Sequence, residues 1–147
     1  MVDAAIALGI AIGLVLAPLI GFTAAGLVVP GYLALHFASF ERIVATFAVA
    51  LATWAVVELG VSRLVILYGR RRLGVTVLTG FALTAALNLV WHPFAAGGAD
   101  LRVIGHIVPG LIANEALHQG VVPTFAMTLL VASLTRVALL LLFAWAP

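Results

Sequence analysis

The sequence predicts an all-α integral membrane protein made of two structural repeats, each a long transmembrane helix, a Pro-Gly-broken re-entrant segment and a second long helix. Three observations carry this. The chain is 65% hydrophobic and only 8% charged, with a mean hydropathy of +1.31, whereas a soluble domain carries about 25% charged residues. Long charge-poor runs recur along it. And GLVVPGYLAL from Gly26 to Leu35 has an echo 79 positions on, superposing Gly26 on Gly105, Val29 on Val108, Pro30 on Pro109, Gly31 on Gly110 and Ala34 on Ala113.

Seven Arg and five acidic residues are too few to cover a water-soluble core. The 147 residues are expected to form a single polytopic membrane domain, with one repeat over residues 4–68 and the other over 73–145. Cysteine is absent, which removes disulfides, thiolate metal sites and Cys nucleophiles. Every basic residue is Arg, in a few clusters rather than the broad basic stripe that nucleic acid requires, so a nucleic-acid partner is not expected. The N-terminus lacks the basic region of a cleavable signal and is expected to be a retained first helix.

Ala4 to Phe22 supplies about the twenty apolar residues that cross roughly 30 Å of hydrocarbon. Pro18 within it is tolerated because neighbouring helices satisfy the freed carbonyl. From Gly26 to Phe40 a second apolar run is interrupted by Pro30, which lacks a donor, and Gly31, which loosens the backbone. The stretch beyond the break reaches only about 15 Å as helix. Glu41 and Arg42 mark an interface, and Ile43 to about Leu59 is the second long helix, with Glu58 near its end. Tyr68 suits the headgroup boundary ahead of the Arg70, Arg71 and Arg72 cluster, which the positive-inside rule puts in the cytoplasm. Leu73 to Trp91 is the third long helix, stopped by Pro93. A small loop and Arg102 precede the second broken segment, and Val121 to Trp145 is the fourth, carrying Arg136.

Two topologies satisfy this order. If the short segments re-enter, there are four crossings, parallel halves and cytoplasmic termini. If they cross, there are six, the halves are inverted and the termini lie outside. Arg42 and Arg102 are external either way, so the charge rule does not decide, and the shortness of the segments favours re-entry.

Paired breaks at matching places point to a functional site in repeat-built membrane proteins. Gly26, Pro30 and Gly31 with Gly105, Pro109 and Gly110 would expose backbone N–H groups and a positive helix end to an anionic carboxylate, or else merely permit close helix packing. Asn114, Glu115, His118 and Gln119 form the densest polar patch. Glu115 and His118 share a helical face, but the partner set of a di-metal carboxylate site is missing, and no metal is expected. Asn114, Glu115 and Gln119 are assigned, with the Pro-Gly elements, to a polymer or substrate path or to the interface between repeats, unless the patch is only a solvated, interface-level tail. The histidines at positions 36, 92, 106 and 118 have no metal-ligand spacing. Arg136, costly within hydrocarbon, falls one position from Glu58 under the 79-residue offset, and an intramembrane Glu58 to Arg136 ion pair is expected.

GLVVPGYL at Gly26 to Leu33, ILYGRR at Ile66 to Arg71, and IVPGLIAN followed by QG between Ile107 and Gly120 resemble the membrane subunit of bacterial poly-γ-glutamate synthesis, the capsule-biosynthesis family called CapC or PgsC. The likeness covers nearly the whole chain in block order. It implies a non-catalytic multipass subunit of the bacterial plasma membrane. Its implied partners are a cytoplasmic ATP-dependent amide ligase, a further membrane-anchored capsule subunit and poly-γ-glutamate. In that family the amide-bond chemistry belongs to the ligase, so ATP and Mg are expected there and no cofactor in this chain. His106 and Arg136 are outside the shared blocks and inherit no role. The sequence agrees independently: it has no Gly-rich phosphate loop and no Lys to neutralise a nucleotide phosphate. Arg70, Arg71 and Arg72 are expected to contact the ligase or the polyanion, unless they serve only topology or lipid headgroups.

The expected function is thus to anchor the ligase and assist polymer elongation or translocation, in a homo-oligomer or mixed complex. A small ion or solute transporter built on the same repeat, and a pure scaffold, are the alternatives.

Overall fold

The computed structural model describes residues 2–66, 68–91 and 103–145, and the regular elements among them are all helices, with no strand. Among the described residues four helices are long and apolar enough to cross a membrane: α1 (Val2–Ile20), α3 (Phe40–Leu64), α4 (Arg70–Trp91) and α6 (Val121–Ala144). Between them stand two short helices, α2 (Val29–Leu35) and α5 (Val108–Gln119). His92, Pro93, the small loop after it and Arg102 lie outside the described residues.

The short helices begin where Pro-Gly dictates. Pro30 and Pro109 each sit in the first turn, the one helical position that loses nothing by lacking an N–H. The linkers ahead of them turn through Gly26 (φ 74°) and Gly105 (φ 66°), left-handed conformations that a Cβ disfavours. Glycine at matching places is therefore a backbone requirement.

Each short helix packs against the long helix before it and the last long helix of the other half: α2 on α1 and α6, α5 on α4 and α3. Two glycine pairs allow the first contact. A Cβ on Gly31 would lie 2.8 Å from the Ala5 carbonyl oxygen, and one on Gly9 2.8 Å from the Gly31 amide nitrogen. A Cβ on Gly110 would lie 2.7 Å from the Val77 Cα, and one on Gly80 2.7 Å from the Gly110 amide nitrogen. These are backbone atoms, so neither contact has room for a side chain. This is the close-packing use of small residues.

Val29 and Leu33 of α2, Val108 and Ile112 of α5, Ile43 and Ala50 of α3, and Ala132 of α6 form one central core with Ala25 and Ile104. Phe47 and Phe125, with ring centroids 4.6 Å apart, pack at its edge. The outward faces of the long helices stay apolar and exposed, as at Leu14, Leu19, Leu78, Leu89, Leu140 and Leu141. In water that surface would be an aggregation liability; against hydrocarbon it is the expected lipid face.

The path of the chain after α1 is fixed by its contacts. Ala24 packs in a cluster with Ile12 and Leu16, Gly31 meets Ala5 and Ile6, and Ala34 and Leu35 pack with Ala4, Ala5 and Leu8. Residues 21–35 thus run back along α1, from its last turns to its first. The second half does the same: Val103 lies with Leu83 and Leu87, Gly110 meets Val77, and Leu117 shares a recess with Arg72.

Candidate functional site

Seven threonines, at positions 46, 53, 76, 84, 124, 128 and 135, are fully buried. In a membrane helix a hydroxyl needs an internal partner, and its own i−4 carbonyl is the nearest. Thr46, Thr53, Thr76, Thr124, Thr128 and Thr135 donate to the carbonyls of Arg42, Val49, Arg72, Gly120, Thr124 and Val131 at 2.6–2.7 Å. Two of them also accept from backbone amides. The Ala25 amide donates to Thr128 Oγ1 at 3.0 Å, and the Ile104 amide to Thr46 Oγ1 at 2.9 Å. Each linker ahead of a short helix is thereby tied to a long helix of the other half. Sequence reading missed these threonines; their only signal was Thr at seven-residue spacing, 46 with 53 and 128 with 135, in otherwise aliphatic helices.

The polar patch on α5 is a second tie between the halves. The Thr23 amide donates to Gln119 Oε1 at 3.0 Å, and the Thr23 hydroxyl donates to the Glu115 carboxylate. Gln119 Nε2 donates to the Thr23 carbonyl and, at 3.1 Å, to Thr124 Oγ1. His118 Nδ1 lies 2.8 Å from the Asn114 carbonyl oxygen. The Asn114 side-chain oxygen is buried with no hydrogen-bond partner. Pro30, Gly31, Pro109 and Gly110 are buried in the seams between helices, where the two glycines face backbone, while the exposed Gly26 and Gly105 turn the linkers ahead of the short helices.

Arg70, Arg71 and Arg72 form the first turn of α4. The macrodipole disfavours cations at a helix N-terminus by about 0.3–1 kcal/mol each, so helix stability does not account for them. Arg70 and Arg71 are exposed and Arg72 is half-buried.

Glu58 and Arg136 are not brought together. Glu58 lines a recess with Val57, Ser62, Arg72 and Leu117. Arg136 lies on α6 between Val131, which packs with Ala24, and Leu139, which packs with Ala5 and Ala34. Among the described residues no ion pair joins them. The 79-residue offset of the Pro-Gly elements does not carry over to these helices: the threonines that accept from the linker amides, Thr46 and Thr128, lie 82 positions apart. Moreover α3 packs chiefly on α4 and α5, and α6 on α1, α2 and α5.

No group of three or more metal-ligating side chains occurs among the described residues. The fold and its polar ties define a polytopic all-α protein whose halves are locked by reciprocal contacts. The family model for capsule biosynthesis CapC matches residues 8–125. The chain therefore belongs to the CapC capsule-biosynthesis family. It is 41% identical over 131 residues to the PGA biosynthesis protein CapC of Bacillus subtilis, covering 89% of this chain and 88% of that one. It is 38% identical over 131 residues to the capsule biosynthesis protein CapC of Bacillus anthracis, with the same coverage. No solved structure matches the chain.

Proposed function

We propose that this chain is the non-catalytic membrane subunit of a poly-γ-glutamate capsule synthase and export complex in the bacterial plasma membrane. It anchors a cytoplasmic ATP-dependent amide ligase and assists elongation or translocation of the polymer, alongside a further membrane-anchored capsule subunit. The observation that carries this reading is the likeness to a relative named for PGA biosynthesis along 89% of the chain. The absence of Lys from the sequence and of a phosphate-binding loop supports leaving ATP and its Mg to the ligase.

The two halves are structural repeats of inverted topology, and each broken segment crosses the bilayer, replacing the re-entry that segment length favoured. The support is the path of residues 21–35 along α1 and of residues 103–117 along α4. An extended lead of several residues at about 3.3 Å each supplies the reach that a seven-residue helix lacks. With the Arg70 to Arg72 end cytoplasmic, the Glu115 and Gln119 end of α5 faces the ligase, and both termini face outward.

A small-solute transporter formed by one chain is the weaker reading. The space between the short helices is filled by Val29, Leu33, Val108 and Ile112, so polymer passage calls for an oligomer or a mixed complex.

Co-expression with an ATP-dependent amide ligase of the same capsule system tests the reading. Ligase recovered in membranes, and ATP-dependent polymer formed, only when this chain is present are the expected results. A soluble ligase and unchanged polymer output would overturn it, and solute flux into vesicles holding this chain alone would favour the transporter.

A further inference from the structure

The recess on α3 belongs neither to the central core nor to the ties between the halves. It is a half-open depression of about 230 Å³, below the roughly 300–1,000 Å³ of sites for drug-sized ligands, so it suits one amino-acid-sized group rather than a strand of polymer. Val57 and Leu117 give it an apolar wall, while Glu58, Ser62 and Arg72 bring a carboxylate, a hydroxyl and a guanidinium to the same space. No ion pair joins Glu58 to Arg72 among the described residues, so neither charge is neutralised by the other.

The backbone is irregular at this place. Residues Val57–Val61 form a π-helical turn within α3. Such a turn inserts one residue and rotates the rest of the helix by about 100° relative to a regular α-helix. Its widened ring weakens the ladder, and the Ser62 hydroxyl donates to the Glu58 carbonyl oxygen. Turns of this kind concentrate at functional sites. Arg72 comes from the opposite wall, in the first turn of α4, where the helix dipole gives no reason for a cation.

We propose that this recess binds a free α-amino-acid head group, its ammonium against Glu58 and its carboxylate against Arg72, whose planar fork matches a carboxylate. Two sources carry that chemistry. One is a free amino acid. The other is the amino end of a γ-linked polyglutamate chain, whose last residue keeps both its α-ammonium and its α-carboxylate because the chain runs through its side-chain carboxyl. Internal residues keep the carboxylate but have their amine committed to the amide, so the recess would hold a chain end and release the rest. The second source rests on the function proposed above.

The test uses the full chain in lipid nanodiscs without ligase, titrated by calorimetry with glutamate, γ-glutamylglutamate and the N-acetylated form of each. Acetylation is expected to weaken binding about tenfold or more, since it removes the partner of an ionised carboxylate. Glu58→Gln and Arg72→Gln should each weaken the free-amine probes by a similar factor, with Arg63→Gln, outside the recess, as control. Binding of γ-glutamylglutamate but not glutamate identifies a chain end; the reverse identifies the free amino acid. Equal binding of the acetylated probes to the unaltered chain, or no binding of either amine, overturns the proposal even if a variant fails to fold. If ligase is still recovered in membranes while no probe binds, the site fails and the function stands; if a probe binds while ligase is not recovered, the site stands and the function fails.

Discussion

The Ile104 amide donates to the Thr46 hydroxyl at 2.9 Å, joining the linker of the second half to a helix of the first. The Ala25 amide and Thr128 make the corresponding bond at 3.0 Å. All four residues are buried, so loss of either hydroxyl leaves a buried N–H without a partner. Thr46→Val and Thr128→Val are each expected to destabilise the protein by about 1–2 kcal/mol, within the range for an orphaned donor and for hydrogen bonds between membrane helices. Thr→Ser at the same positions should recover most of the loss. Unfolding in mixed micelles measures both, and equal behaviour of Val and Ser would sink this explanation.

Gly110 and Gly74 should respond oppositely to alanine. A Cβ at Gly110 meets Val77 backbone at 2.7 Å, while one at Gly74 meets nothing within 4 Å. Gly110→Ala is therefore expected to separate α4 from α5 and reduce folded yield severely. Gly74→Ala, in the exposed interior of a helix, should be neutral or stabilising by up to about 1 kcal/mol. Yield and thermal stability of the two variants decide the matter.

The proposed topology puts Val2 and His118 on opposite sides. Because the chain has no cysteine, Val2→Cys and His118→Cys each report one position cleanly to a membrane-impermeant thiol reagent. Val2→Cys should react in intact cells and His118→Cys only after permeabilisation. The reversed pattern would restore re-entry with four crossings.

Neutralising Arg70, Arg71 and Arg72 to Gln tests ligase docking. Insertion should survive, because several determinants set topology, while recovery of ligase in membranes falls several-fold. Ligase that stays fully membrane-bound, with the protein correctly inserted, would return the cluster to lipid headgroups.

Charge reversal at Glu58 and Arg136 together should not rescue either single reversal, since the two line different parts of the bundle. Mutual rescue of folded yield would revive the ion pair.

The membrane class and the positions of the helices were legible because hydropathy and Pro-Gly punctuation act locally. Helix ends differed by only a few residues, the largest being α3, which continues past Leu59 through its π-turn to Leu64. The family likeness was legible in three short blocks and agrees with the matched family model. The pairing of residues was not. Gly9 corresponds to Gly80 at 71 positions, Gly31 to Gly110 at 79 and Thr46 to Thr128 at 82, so no single offset carries a contact from one half to the other.

By itself the sequence determined a lipid-solvated helical protein with two short helices begun at Pro-Gly, because burial in hydrocarbon and backbone geometry depend on residues near in the chain. Only the tertiary structure decided that each short helix leans on the other half, that Thr23 holds Glu115 and Gln119, and that Glu58 shares a recess with Arg72 rather than pairing with Arg136. Those outcomes depend on how helices interlock: the close approach allowed at Gly9, Gly31, Gly80 and Gly110, and the placing of Glu58 and Arg72 on the neighbouring helices α3 and α4.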